Sequence, residues 1–281
     1  MREINVSQVS EVVADLCIKS NVILPENTKK LFNKYLDLET DLMSRDIIDL
    51  LIKNYEFAQE KQIPICQDTG IAVVFLKIGQ DVRLTGGSIK DAVNKGVREG
   101  YLRGYLRCSV VSDPVFSRKN TKDNTPAIIY IDLVEGDKIE ILVAPKGFGS
   151  ENMSKIKMMT PSAGEEQIID FVLETVKSAG ASACPPMVIG VGIGGDFEYS
   201  AYLSKKALCR DVELRNQDER YKNLELKILD SVNNLNIGPQ GLGGKTTALA
   251  VNIEWAPTHI ASIPVAVNIG CHATRHSKII I

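Results

Sequence analysis

The sequence predicts an α+β (mixed α/β) fold, in which an N-terminal helical segment precedes a mixed, partly antiparallel sheet with flanking helices. Three observations carry that prediction. Residues 6–62 place apolar side chains such as Ile47, Leu50, Leu51 and Tyr55 at three- and four-residue spacing, the period of amphipathic helices. The runs 71–78, 187–194, 246–255 and 260–269 are short, apolar and bounded by Gly, Pro or polar residues, which reads as strands. Hairpin signals alternate with crossover-length helices, as in a mixed sheet.

In chain order, helices are expected over 6–20, 26–38 and 44–62, forming a helical cap. A strand over 71–78 follows, then a helix over 88–106 opened by an N-cap Ser88 with Asp91 at the capping-box distance. Residues 125–146 read as a hairpin about the Glu135-Gly136-Asp137 turn. Residues 165–178 read as a helix, 187–194 as a buried strand, 196–210 and 218–235 as helices, and 246–255 and 260–269 as strands. No internal repeat, low-complexity tract or linker is visible, so residues 1–281 read as one domain: 1–62 helical and 63–281 the mixed-sheet core.

A chain of 281 residues with 44% hydrophobic and 24% charged residues is ordinary globular material. Its net charge of -2 comes with Lys and Arg spread along the whole length, so there is no basic stripe for nucleic acid. The start Met1-Arg2-Glu3-Ile4-Asn5 lacks a signal peptide's apolar region. No run approaches the roughly 18 apolar residues of a membrane span. A cytoplasmic location is expected, where six cysteines serve as thiols or metal ligands rather than disulfides.

Cys66, Cys184 and Cys271 sit where the backbone is broken by Gly, Pro or short polar residues, whereas the other three cysteines lie in helix-like runs. Three thiolates on loops far apart in sequence could hold a cubane iron–sulfur cluster with one iron left free. The plain alternative is that all six are buried, inert thiols.

Two glycine-rich stretches need separate reading. Gly190-Val191-Gly192-Ile193-Gly194-Gly195 fits G-x-G-x-x-G between a strand and a helix. No second parallel strand is expected after that helix, so the dinucleotide reading is weak. Gly238-Pro239-Gln240-Gly241-Leu242-Gly243-Gly244-Lys245-Thr246 looks like a phosphate-binding loop, but it follows a helix and leads into a strand, the reverse of the required order. Both stretches offer main-chain N–H groups able to hold a small anion, a carboxylate included.

Polar residues gather around the cysteine loops. Gln67 and Asp68 follow the first, His259 lies twelve residues before the third, and His272, Arg275 and His276 follow it. Taken singly, such an Asp is usually a turn cap and such a His a surface or core residue. Arg107 and Lys146 are further cations that could grip a carboxylate.

Cys66-Gln67-Asp68-Thr69-Gly70, Lys146-Gly147-x-Gly149-Ser150-Glu151, Ala183-Cys184-Pro185-Pro186, Gly241-x-Gly243-Gly244-Lys245, Thr258-His259-x-Ala261-Ser262 and Cys271 occur in this order. By these motifs the chain resembles, over nearly its whole length, the iron–sulfur class I fumarases and the related L-tartrate dehydratases. The resemblance implies an oxygen-sensitive 4Fe-4S cluster on Cys66, Cys184 and Cys271, one iron remaining open. It implies substrate contacts from Gln67, Asp68, Arg107, Lys146, the Gly147 to Gly149 loop and His259. Phe148 stands where some members carry Gly.

Members of that family have a second catalytic region, fused or as a separate β subunit, and this sequence ends at Ile281, ten residues past Cys271. The expectation is therefore an α subunit of a hydro-lyase acting on a small dicarboxylic acid, inactive or nearly so without its β subunit. Fumarate and malate are the first expected substrates, with tartrate and oxaloacetate the alternative. An iron free of protein ligands would polarise the leaving C–O bond. Asp68 would transfer a proton at the leaving hydroxyl or orient the acid–base group, His259 would position substrate or relay a proton, and the base at carbon could come from the partner. The rival from another class is an iron–sulfur sensor or electron carrier, for which Cys17, Cys108 or Cys209 would supply a fourth ligand. A nucleotide-binding protein is the third.

Overall fold

The computed structural model describes residues 1–281, and many of its helices begin where the sequence supplies a side-chain acceptor. Asn5, Ser88, Asp196 and Asp218 accept the N–H of Ser7, Asp91, Tyr199 and Arg220 respectively, each satisfying one of the donors that a helix start leaves open. In chain order the elements are β1 (Arg2–Asn5), α1 (Val6–Val22), α2 (Glu26–Leu38), α3 (Leu42–Lys61), β2 (Ile71–Gly79), β3 (Val82–Thr85), α4 (Ile89–Arg103), β4 (Ile128–Val134), β5 (Ile139–Lys146), α5 (Phe148–Glu151), β6 (Lys155–Met159), α6 (Glu165–Ala179), β7 (Met187–Gly195), α7 (Phe197–Ala207), α8 (Glu219–Asn233), β8 (Ala248–Thr258), β9 (Ile263–Gly270) and β10 (Ser277–Ile280). The α+β class expected from the sequence is what forms.

The chain divides into two compact units. The first comprises Met1–Pro25, Tyr55–Phe148 and Arg275–Ile281. Its four-stranded sheet has the order β10-β5-β2-β4, with β2 parallel to β4 and antiparallel to β5. Alternate residues Ala72, Val74, Leu76 and Ile78 of β2 and Ile139, Ile141 and Val143 of β5 share a core with Val9, Val13 and Leu16 of α1 and Val93, Val97 and Tyr101 of α4. Helices α1 and α4 touch through glycine, since a Cβ on Gly96 or Gly100 would lie 2.4 or 2.6 Å from the carbonyl oxygen of Ser10 or Ala14.

The second unit comprises Glu26–Asn54 and Gly149–Thr274. Its sheet runs β6-β9-β7-β8, with β7 parallel to β8 and antiparallel to β9. Ile189, Val191 and Ile193 of β7 face a core built with Ile169, Val172 and Val176 of α6 and Leu224, Ile228 and Val232 of α8. The opposite side of β7 carries Gly190 and Gly192, and there α7 lies against the strand. Strands covered on both faces read as continuous apolar runs, which is why 187–194, 246–255 and 260–269 were visible in the sequence.

Four expectations change. The turn at 135–137 is present, but β4 and β5 do not form a hairpin, because β2 lies between them. The almost wholly buried β2 takes the centre of the sheet, and the turn bonds to its end instead: the Gly79 N–H donates to the Lys138 carbonyl at 2.9 Å and the Asp81 N–H to Gly136 at 3.0 Å. Second, the N-terminal helices are not a cap. Helix α1 packs on the first sheet and on α4, while α2 and residues 42–54 of α3 belong to the second unit. Third, a parallel strand does follow the Gly190 to Gly195 stretch, as β8, after two helices rather than one. Fourth, β1, β3, β6 and β10 were not legible in the sequence, being four or five residues long with little alternation.

Candidate active site

In the first unit the Cys66 loop is fixed from several directions. The Cys66 sulfur is half-buried and accepts the Asp68 N–H at 3.4 Å. Both Asp68 oxygens are engaged by main chain: Gly70 N–H donates to Oδ1 at 3.0 Å and Phe148 N–H to Oδ2 at 2.8 Å. A Cβ on Gly147 would lie 3.0 Å from Asp68 Oδ2, so the glycine allows the two loops to meet. Gly70 has φ +73° with its Cβ position 2.5 Å from Lys146 main chain, a place only glycine fills without strain.

Residues distant in sequence complete the frame. The Tyr101 hydroxyl lies 2.8 Å from the Thr69 carbonyl and 3.1 Å from that of Gly70, and Asn124 Nδ2 donates to the Gly70 carbonyl at 3.0 Å. Arg275, 4% exposed, donates from Nη2 to the Asp68 carbonyl at 2.6 Å and from Nε to Asn21 Oδ1 at 3.1 Å. Thr69 Oγ1 donates to the Arg107 carbonyl at 3.1 Å, which seats Arg107 beside this loop. The Arg107 guanidinium and the Gln67 side chain are exposed. Lys146 is buried, with Nζ 3.4 Å from the Gly147 carbonyl. Five expected site residues, Gln67, Asp68, Arg107, Lys146 and Gly147, therefore lie in or against the Cys66 loop.

In the second unit the Cys184 and Cys271 loops are joined directly. Cys184 ends a 3-10 turn at φ +50°, is exposed, and donates its N–H to the Ala181 carbonyl at 2.9 Å. The His272 N–H, next to Cys271, donates to the Cys184 carbonyl at 3.0 Å. Cys271 opens a turn in which the Thr274 N–H and hydroxyl donate to its carbonyl at 2.9 and 2.7 Å. His259 lies elsewhere on this unit, exposed, its Nδ1 accepting the Ala261 N–H at 3.2 Å. That bond leaves Nε2 to carry the proton of the neutral ring.

The donor chemistry fits an iron–sulfur group in two respects. Burial pushes the Cys17 and Cys209 thiols up to about 12 and raises Cys108 as well, so these three are held as thiols and are poor ligands. Cys66, Cys184 and Cys271 are exposed or half-buried on loops, but Cys108 and Cys209 are half-buried outside helices too, in the loop after α4 and the turn after α7. Of the three cysteines expected in helix-like runs, only Cys17 therefore lies in a helix. The Asp68 N–H points at the Cys66 sulfur. No three Cys, His, Asp or Glu side chains stand together at ligating spacing. The expected ligand set thus rests on the loops themselves.

The anion reading of the glycine stretches changes. Gly190 and Gly192 lie inside β7, where a Cβ would come within 2.2 and 2.0 Å of the Ser204 and Ser200 carbonyl oxygens of α7. They serve helix packing. In the second stretch the N–H groups of Lys245 and Thr246 already hold an anion, the Glu39 carboxylate, at 2.9 and 3.1 Å. Sequence reasoning missed Glu39, Tyr101 and Asn124, and noted Arg275 only for its nearness to Cys271, because bonds to remote main chain leave no local signature.

Comparison with known proteins agrees with the motif order. Residues 10–280 match the family described as fumarate hydratase (Fumerase). A protein of Methanocaldococcus jannaschii, provisionally named L(+)-tartrate dehydratase subunit alpha, is 41% identical over 276 residues, covering 96% of each chain. L(+)-tartrate dehydratase subunit alpha of Escherichia coli O157:H7 is 32% identical over 278 residues, covering 98% of this chain and 91% of its own. The same subunit from Escherichia coli strain UTI89 is 33% identical over 276 residues, with the same coverage. These matches mark the chain as a carbon–oxygen lyase. The chain belongs to the fumarate hydratase family.

Proposed function

We propose that this chain is the alpha subunit of a hydro-lyase that dehydrates L-tartrate to oxaloacetate, with a 4Fe-4S cluster on Cys66, Cys184 and Cys271 and a separate beta subunit completing the site. The observation that carries the substrate is the near-full-length likeness to proteins named for L(+)-tartrate dehydratase. Sequence motifs alone had put fumarate and malate first. That hydration remains the second reading, favoured by the description of the family. Six free cysteines suit a reducing compartment, the cytoplasm.

The reaction removes hydroxide from one carbon and a proton from its neighbour, and the resulting enol becomes the oxo acid. When bound, the cluster supplies a Lewis acid toward the leaving hydroxyl. Arg107, exposed beside the Cys66 loop, grips one substrate carboxylate in a bidentate pair, and Gln67 adds a polar contact. Lys146 and the Gly147 to Gly149 loop line the same approach. Because both Asp68 oxygens already accept main-chain N–H groups, Asp68 orients the loop that carries Cys66 and Gln67, rather than transferring protons itself. His259, with Nδ1 engaged, presents Nε2–H for proton relay. The partner subunit brings the base at carbon.

The test is anaerobic loading with iron and sulfide, then assay of L-tartrate, fumarate and malate with and without the beta subunit. Turnover of tartrate only with the partner supports the proposal. Preference for fumarate selects the second reading, and full turnover by the chain alone contradicts the subunit assignment.

A further inference from the structure

The glycine-rich stretch 238–246 has no role in the chemistry above, yet it is one of the most constrained segments of the second unit. Gly238, Gln240, Gly241, Gly243 and Gly244 all have positive φ. A Cβ on Gly244 would lie 2.2 Å from Ser44 Oγ. Its anion seat is filled by Glu39, which is 2% exposed. Glu39 Oε2 accepts the N–H of Lys245 at 2.9 Å and of Thr246 at 3.1 Å, and the Thr246 hydroxyl at 3.1 Å. Its Oε1 accepts the N–H of Thr40 and Asp41 at 3.0 and 3.3 Å. Five donors on one buried carboxylate make a permanent internal ligand where a phosphate-binding loop would hold an external one.

The other end of the stretch reaches a candidate ligand. The Gln240 N–H and its side-chain Nε2 both donate to the Pro185 carbonyl at 2.8 Å, directly after Cys184. The Cβ position of Gly241 lies 2.5 Å from Ala181 Cβ, in the turn that ends at Cys184. The Cys184 carbonyl in turn holds the His272 N–H beside Cys271. One chain of contacts, all within the second unit, therefore runs from Glu39 through the glycine loop to both cysteine loops.

We infer that Glu39 and Gln240 are positioning residues for Cys184: the internal carboxylate sets the glycine loop, and the loop holds Cys184 at its left-handed backbone conformation. This rests on the cluster assignment proposed above. Gln240 is the gentler probe because its side chain adds one bond to a carbonyl that the main chain also holds.

The experiment compares wild type, Glu39→Gln and Gln240→Leu as full chains. Two quantities are read: iodoacetamide alkylation of each cysteine in the cluster-free protein, by mass spectrometry, and the rate of loss of cluster absorbance in air after anaerobic loading. Loss of a hydrogen bond to Pro185 should raise Cys184 alkylation relative to Cys66 about fivefold in Gln240→Leu, and cluster loss by a similar factor. Glu39→Gln, if it folds, should do at least as much. Unchanged Cys184 alkylation and unchanged cluster loss in Gln240→Leu, with wild type holding its cluster, overturn the inference. A wild-type chain that takes no cluster sinks the functional proposal instead, and the alkylation ratio still decides this one.

Discussion

In the proposed function Arg107 is the residue on which substrate binding most depends, since it is exposed next to a loop fastened by Phe148, Tyr101, Asn124 and Arg275. Arg107→Lys removes the bidentate pair, a contact worth about 2–3 kcal/mol, so kcat/KM with the partner subunit should fall about a hundredfold. Steady-state kinetics checks this, with KM carrying most of the change. Arg275→Met deletes two buried donors, to the Asp68 carbonyl and to Asn21 Oδ1, and should cost about 2–3 kcal/mol by urea denaturation. The buried thiols give a pH dependence with a definite sign. Cys17 and Cys209 are raised from 9.0 to about 12 by burial, so they favour folding fully below pH 9 and that contribution is lost as pH rises from 9 toward 12. Thermal melts in that window should fall more steeply for wild type than for Cys17→Ala/Cys209→Ala. At this scale the sequence exposed the residues with an unusual neighbourhood, such as Cys66 in its polar loop and Cys184 before two prolines. It marked Arg275 only as a neighbour of Cys271 and did not expose Asn124 or Glu39; the partners of these three lie 207, 54 and 206 residues away.

Elements were legible where periodicity was strong and partners did not matter. Glu26–Leu38 and the start of β7 fall where apolar spacing placed them. Pairing was another matter, because nothing in 125–146 says that a strand from 71–79 will enter between its two halves. Gly79 is the one local clue, since any side chain there would strike Gly136. The G-x-G-x-x-G stretch shows the same limit, its glycines reading as a nucleotide loop when two of them are a packing surface for α7. Gly192→Ala would set a methyl 2.0 Å from the Ser200 carbonyl and should destabilise the fold by about 3 kcal/mol or more, measured as a lowered urea midpoint. Asp123, near the end of the loop 105–124 that carries Arg107, ties that end to Arg98 of α4 and to Thr125. Burial pushes its carboxyl up, but Arg98 and Thr125 outweigh that and hold it at about 2, against 3.8 ordinarily. The stability it lends is present above pH 3.8 and is lost as pH falls through about 2.

For the whole molecule, each unit carries a fastened loop of its own: Cys66 in one, the joined Cys184 and Cys271 loops in the other. The class of fold and the order of motifs were readable from the chain because both are local or sequential properties. The division into two units was not, since residues 26–54 and 275–281 join units distant from their sequence neighbours. The measurement that bears most directly on the central claim is iron and sulfide content, with L-tartrate dehydration in the presence of the beta subunit, for single Cys→Ser variants after anaerobic loading. A cluster on these three cysteines gives about four irons per wild-type chain, loss of cluster and activity in Cys66→Ser, Cys184→Ser and Cys271→Ser, and neither loss in Cys209→Ser. A full, active cluster in any of the first three, or its disappearance in Cys209→Ser alone, would contradict it.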